Sequence, residues 1–247
     1  MSDSPPVPPR RIAPQLGPHV WQGGDLSPSD WMLATGAEDA AELQAALAGA
    51  GTPSLPRLAP VLREIAERCD HGRGFAVLRG LPAPGPDQAE RLLGLLAGAL
   101  GRVLPPPGPA PELPPPCDIL VLLATGTAEL TLLSAGTAHN ALLQQDRAAL
   151  ETLYRPPEGE MPVFTIAGGI FAGRAAGPIP ALAAIRDDAA LPLCLALHSG
   201  ELLFLNPFLA WPRGLGGPLL AAGVITAASR AIGPFAPPLE PPAEVGG

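Results

Sequence analysis

The sequence predicts an α+β fold built on a jelly-roll-like β core, and three observations carry that expectation. Helical periodicity dominates the first hundred residues, short apolar runs dominate the rest, and Gly-Gly or Ser-Gly pairs separate several of those runs. The length of 247 residues suits one large core, and 47% hydrophobic residues with a mean hydropathy of +0.25 argue against general disorder. The 35 prolines and 29 glycines, about a quarter of the chain, pull the other way. Their placement resolves the conflict. Six prolines lie in residues 1–20, eight in 105–116 and five in 234–242. The expected organisation is therefore a flexible Pro-rich arm over 1–26, one domain over 27–232 with a Pro-rich crossing at 105–116, and a Pro-rich tail over 233–247.

The elements follow in order. The run AEDAAELQAALA from Ala37 to Ala48 has good helix formers, with acidic residues in its first turn where the helix dipole favours them. Leu58, Val61, Leu62, Ile65 and Cys69 recur at three- and four-residue spacing and mark a second helix, stopped by Gly72 and Gly74. FAVLR (Phe75–Arg79) reads as a strand closed by Gly80 and Pro82, and Asp87–Leu100 as an amphipathic helix. DILVLLA (Asp118–Ala124) is nearly all apolar, as a strand buried on both faces must be. A helix is expected over about 137–154. Gly168-Gly169 predicts a hairpin between Val163–Ile166 and Ile170–Ala172, because both turn positions tolerate positive φ. Ser199-Gly200 predicts a second hairpin between Leu193–Leu197 and Glu201–Leu205. No internal repeat stands out.

Charge and cysteine usage exclude several classes. The net charge of −8 and pI near 4.9 disfavour nucleic acid, whose phosphates need a basic face. The longest uncharged stretch, Gly214–Ser229, is too short to span a bilayer and contains Pro218, so no membrane association is expected. Met1–Pro9 lacks the apolar run of a signal peptide. Cys69, Cys117 and Cys194 are an odd, widely spaced trio that suits reduced thiols in a cytoplasm. Every basic residue is Arg, which we read as genome base composition.

Motif spacing excludes the common metal sites. The four histidines are His19, His71, His139 and His198, followed two residues later by Trp21, Arg73, Ala141 and Gly200. No His-x-Asp/Glu, His-x-x-x-His or Cys-x-x-Cys spacing exists. Cys69-Asp70-His71 stands at a helix C-terminus, where the dipole raises a thiol's pKa and weakens it as a nucleophile. Ser134 lacks the Gly-x-Ser-x-Gly frame and reads best as a structural hydroxyl, His139 as a helix-cap or surface residue, and His198 as a strand-end residue.

Several blocks, in order, resemble one family. HGRGFAVLRGLP (His71–Pro82) is similar to the glycine turn and GF-x-x-x-RGL strand of the Fe(II)/2-oxoglutarate dioxygenases of the taurine-dioxygenase and clavaminate-synthase type. CDILVLLATGTAELTLLSAGTAHNALL (Cys117–Leu143) is similar to the family's strand–turn–strand–helix block, with Ala128–Thr131 in the place of its usual turn. MPVFTIAGGIF (Met161–Phe171) resembles its PVF strand and hairpin, and HSGELLFLNPFLAWPRG (His198–Gly214) its PGD…NN…HGR segment. The resemblance spans about residues 30–214 and implies a double-stranded β-helix (jelly-roll) core with N-terminal helices, shortened in places.

The departures bear on function. The family holds iron with a His-x-Asp/Glu pair and a distant second His, leaving room for 2-oxoglutarate and oxygen. The pair should lie shortly before Cys117, where this chain has PPPGPAPELPPP with Glu112 its one carboxylate; Trp211 stands at the second His. Thr226 falls at the family's 2-oxoglutarate arginine, with Arg230 four residues on. The expectation is a degenerate, non-catalytic protein that acts through binding and needs no cofactor, although its family would use Fe(II) and 2-oxoglutarate. Its pocket residues would be Asn206, Trp211, Arg213 and Ser134, and its partner a full-length relative or a small carboxylate. The alternatives are an oxygenase whose site is completed by a partner through Glu112, and a decayed gene product.

Overall fold

The computed structural model describes residues 12–49, 54–104, 107–155, 157–158, 160–175, 177–227 and 229–235. In chain order the elements are α1 (Pro28–Trp31), β1 (Met32–Ala34), α2 (Ala37–Ala48), α3 (Leu58–Asp70), β2 (Phe75–Arg79), α4 (Pro86–Leu100), β3 (Arg102–Val103), β4 (Gly108–Pro109), β5 (Ile119–Ala124) and β6 (Ala128–Ser134). Then come α5 (Ala135–Gln145), α6 (Arg147–Tyr154), β7 (Phe164–Ala167), β8 (Ile170–Gly173), α7 (Pro180–Asp187), β9 (Leu193–Leu197), β10 (Leu202–Leu205), β11 (Ala210–Arg213) and β12 (Leu219–Ile225). Among the described residues no helix is long and apolar enough to cross a membrane.

Three sheets organise these strands. A seven-stranded sheet runs β1-β2-β10-β5-β12-β3, with β4 also on β12; a three-stranded sheet runs β11-β6-β9; and β7-β8 is a hairpin by itself. Strand periodicity sorts the side chains of the large sheet into two cores. Along β5, Ile119, Val121 and Leu123 face a core shared with α2, α3 and α4, while Leu120, Leu122 and Ala124 face the small sheet. β10 divides the same way, with Leu202 and Phe204 on the helix side and Leu203 and Leu205 on the other. The small sheet contributes Leu130, Leu132, Leu195, Leu197 and Ala210 to the shared inter-sheet core. The space between the two sheets is thus packed with aliphatic side chains. A third core gathers α5, α6, α7 and the β7-β8 hairpin around Phe164, Phe171 and Trp211.

Helices α2, α3 and α4, the two-sided strand β5 and the β7-β8 hairpin stand where periodicity puts them, Gly168 and Gly169 both having positive φ. Gly74, at φ +86°, begins β2 so close to the chain before β11 that a Cβ there would lie 2.8 Å from the Leu209 Cβ.

Five expectations are corrected. Residues 12–26 are not an arm: Trp21 is 3% exposed against Phe75, and its indole N–H donates to the Arg73 carbonyl at 2.8 Å; residues 1–11 lie outside the described residues. The tail expected from residue 233 starts with Phe235 buried and stacked on Phe208, and 236–247 lie outside the described residues. The helix expected over 137–154 is two helices, because Asp146 ends α5 and caps α6 by accepting from the Ala149 N–H at 2.9 Å. The hairpin expected at Ser199-Gly200 does not form, since β9 pairs with β6 and β10 with β2 and β5. That turn instead carries the chain from the small sheet to the large one. Likewise Ala128–Thr131 is strand and not turn, lying wholly within β6.

Of the crossing at 105–116, residues 105–106 lie outside the described residues. The rest pairs with the large sheet where Gly108 and Pro109 lie opposite Ala221 and Leu220, and the Ala110 N–H donates to the Leu219 carbonyl at 3.0 Å. Proline lacks the ladder N–H, so it can close a sheet's edge but not occupy its centre.

Candidate functional site

Strand β11 presents the two residues on which a site could be built. Alternation sends Ala210 into the inter-sheet core and Trp211 into the third core, on the opposite face of the small sheet. Trp211 is 3% exposed, stacks on Phe164 at 5.6 Å, and donates its indole N–H to the Gly173 carbonyl at 2.9 Å. The ring is buried beneath the β7-β8 hairpin, and aliphatic side chains pack the space between the sheets.

A groove of roughly 540 Å³ opens beside that ring, lined by Glu112, Leu133, Ile179, Arg186, Trp211 and Arg213 among others. The Arg186 guanidinium lies over the indole, 5.9 Å from its centre, and donates to the Gly177 carbonyl at 3.1 Å. Arg213 donates to the Arg186 carbonyl at 2.9 Å and stands 3.8 Å from an Asp187 carboxylate oxygen. Burial, and then the positive charge of Arg213, pull the Arg186 pKa down from the ordinary arginine range. The two guanidinium charges repel each other, and an anion near both would relieve that repulsion. The groove therefore offers apolar flanks over a buried indole and two guanidinium groups, with the Glu112 and Asp187 carboxylates also in its lining.

The structure brings Trp211 and Arg213 together and separates the other expected pocket residues from them. Asn206 is 2% exposed and lines a different cleft of roughly 210 Å³. Its side-chain oxygen accepts from the Phe208 N–H at 2.9 Å, and its carbonyl accepts from the N–H groups of Leu209 and Ala210. It shapes the turn between β10 and β11. Ser134 is fully buried and caps α5, accepting from the Thr137 N–H at 2.9 Å while donating to the His19 carbonyl at 2.6 Å. Neither reaches the groove. Glu112 does line it, joined to Trp211 and Arg213 by tertiary placement alone.

Thr226 and Arg230 belong to a structural carboxylate network. Asp118 accepts from the Thr226 N–H at 2.8 Å, the Ser229 hydroxyl at 2.5 Å and the Arg230 N–H at 3.2 Å. The Arg230 guanidinium donates to Asp70 Oδ1 at 2.9 Å, to the Asp70 carbonyl at 2.6 Å and to the Phe171 carbonyl at 2.9 Å. With these partners Arg230 staples α3, β8 and the chain after β12 together, away from the groove.

The histidines do not assemble a metal site. Among the described residues no group of three His, Cys, Asp or Glu side chains is placed to hold a metal ion. His71 and His198 are exposed, and no histidine lines the groove. His139 is fully buried, correcting its reading as a cap or surface residue: its ring meets Tyr154, Phe164 and Phe171 edge-on at 5.4–5.8 Å. The run Ala135-Gly136-Thr137-Ala138 was the available signal, since small residues let another segment approach a helix closely. The residues at the positions discussed above do not fit an iron ion, for they supply an indole, prolines and one exposed carboxylate.

No family model and no curated protein matches this sequence. Solved structures do. Asparagine oxygenase matches with a TM-score of 0.55 at 16% identity, over 80% of this chain and 93% of that one. The non-haem iron oxygenase OrfP, in its complex with Fe, matches with a TM-score of 0.52 at 18% identity, over 82% of this chain and 98% of that one. Asparagine oxygenase in complex with Fe(II), 3-hydroxyasparagine and succinate matches with a TM-score of 0.52 at 16% identity. The chain has the fold of these non-haem iron oxygenases, and at such identities the likeness speaks for the fold alone.

Proposed function

We propose that this chain is a degenerate double-stranded β-helix protein that acts by binding and not by iron chemistry, and that its ligand is a small carboxylate held in the groove beside Trp211. The carrying observation is the placement of Arg186 and Arg213 at the buried Trp211 ring; by resemblance, Trp211 stands where the family has its second iron-binding His. A carboxylate would bridge the guanidinium groups while its carbon skeleton lies against the apolar side chains of Leu113 and Ile179. The proposed contacts are to two guanidinium groups and apolar side chains, and none of them runs through a metal ion.

The test is calorimetric titration with succinate and 2-oxoglutarate in the presence of EDTA. Saturable binding that is lost in Arg213→Ala and weakened by salt supports the reading. Binding that appears only on adding Fe(II) would favour an oxygenase site completed by another chain through Glu112.

A further inference from the structure

Residues 12–20 are held on the body in an unusual way. They form no strand ladder, and none of them is buried; Leu16 is 83% exposed. Ile12 packs against the third core, and the segment's hydrogen bonds to the body join body side chains to strap backbone. Asn140 clamps Gln15 twice, its Oδ1 accepting from the Gln15 N–H at 2.7 Å and its Nδ2 donating to the Gln15 carbonyl at 2.9 Å. Ser134 holds the His19 carbonyl, and Arg73 donates to the Pro18 carbonyl at 3.2 Å. Beyond the strap, Trp21 is fixed in the inter-sheet core and Thr137 donates to its carbonyl at 2.7 Å. The segment thus has a firm hinge at Trp21 and a peelable length before it.

Two imidazoles lie at this contact. The Gln15 N–H can only donate, so the Asn140 atom facing it is an oxygen; His139 Nδ1, 3.1 Å from that oxygen, must then be the protonated nitrogen. His139 Nε2 is left as a bare acceptor, buried without a partner among Tyr154, Phe164 and Phe171. His19 stacks on Phe171 at 5.8 Å, its Nε2 likewise buried without a partner, against the α5 face at Gly136. The charged group acting on His19 is Arg230, which is paired with Asp70. A proton added at either Nε2 would make a buried cation with no acceptor.

We propose that residues 12–20 are a proton-released latch, hinged at Trp21, with His139 and His19 as its sensors. Burial lowers the pKa of both histidines, with Arg230 adding to the effect on His19 and the Asn140 contact partly opposing it on His139. The sign follows. The closed form binds fewer protons than the open one, so closure is fully favoured above the ordinary imidazole pKa of about 6.5 and weakens as pH falls below it.

Hydrogen exchange by mass spectrometry on the full chain, corrected for intrinsic rates, tests this between pH 7.5 and 5.5. Protection of the Gln15–Val20 amides should fall, by up to about tenfold per pH unit for each proton taken up, while β5 stays protected. In His19→Leu/His139→Leu the strap should lose this pH response. Should that pair fail to fold, His19→Leu alone should keep only the part due to His139. A wild-type strap indifferent to pH, loss of β5 protection together with it, or an unaltered response in the variants would each overturn the proposal.

Discussion

The Trp211 indole donates to the Gly173 carbonyl at 2.9 Å, tying β11 to the β7-β8 hairpin through a buried bond. That contact and the stack on Phe164 make the ring a principal support of the third core. Trp211→Ala should cost about 3–5 kcal/mol and lower the melting temperature by roughly 10 °C. Trp211→Phe keeps an aromatic face but leaves the Gly173 carbonyl without its donor, and should cost about 1–3 kcal/mol. Thermal denaturation followed by circular dichroism separates the two. An alanine variant as stable as wild type would mean that the hairpin packs without the ring.

Trp21 is the second aromatic anchor, and the prolines around it conceal that role. Its ring lies in the inter-sheet core at 5.4 Å from Phe75, so Trp21→Ala should destabilise on the same scale of about 3–5 kcal/mol. A sequence reading that makes residues 1–26 an arm expects little change. Chemical denaturation of the two tryptophan variants, side by side, checks this.

Asp118 gathers three donors from the chain after β12 and is 3% exposed. Asp118→Ala leaves those donors unsatisfied and should cost roughly 3 kcal/mol or more, each hydrogen bond to a charged group contributing about 1.5–3 kcal/mol. Asp118→Asn, which can still accept, should be milder. Hydrogen exchange at Thr226 and Arg230 reads the local loss directly.

The three thiols should react in two classes. Burial pushes the Cys117 pKa up to about 12 and raises that of Cys69 still further, with the Asp70 charge adding to the latter, whereas Cys194 is exposed on β9. Alkylation of the native protein near pH 8 should modify Cys194 alone, and all three after denaturation. Rapid modification of Cys117 in the native protein would show that the small sheet opens.

Much of this architecture is legible in the sequence because burial leaves a period. β5 is apolar at every position and lies central in the large sheet, and α3 carries its stripe at helical spacing. The failed hairpin at Ser199-Gly200 was legible in principle. β9 alternates buried Leu195 and Leu197 with exposed Cys194 and Ala196, while β10 is buried throughout, so the two strands belong to sheets with different surroundings. Trp211 and Arg213 share the groove because they are two apart on one strand. Asn206 and Ser134 were misplaced because each turns its side chain to a backbone N–H, and such local bonds leave no periodic trace. The groove's other cation, Arg186, comes from α7, and Glu112 from the crossing; tertiary placement alone joins them to β11.

The proposed binding groove, on a fold shared with non-haem iron oxygenases, needs no metal ion. The most direct measurement is anaerobic titration of the purified protein with Fe(II) and 2-oxoglutarate, followed by visible absorption and by metal analysis after desalting. No charge-transfer band and no stoichiometric iron are expected, for wild type and equally for Trp211→His, which has no His-x-Asp/Glu pair to join. A band saturating at one Fe(II) per chain, with retained iron, would contradict the account.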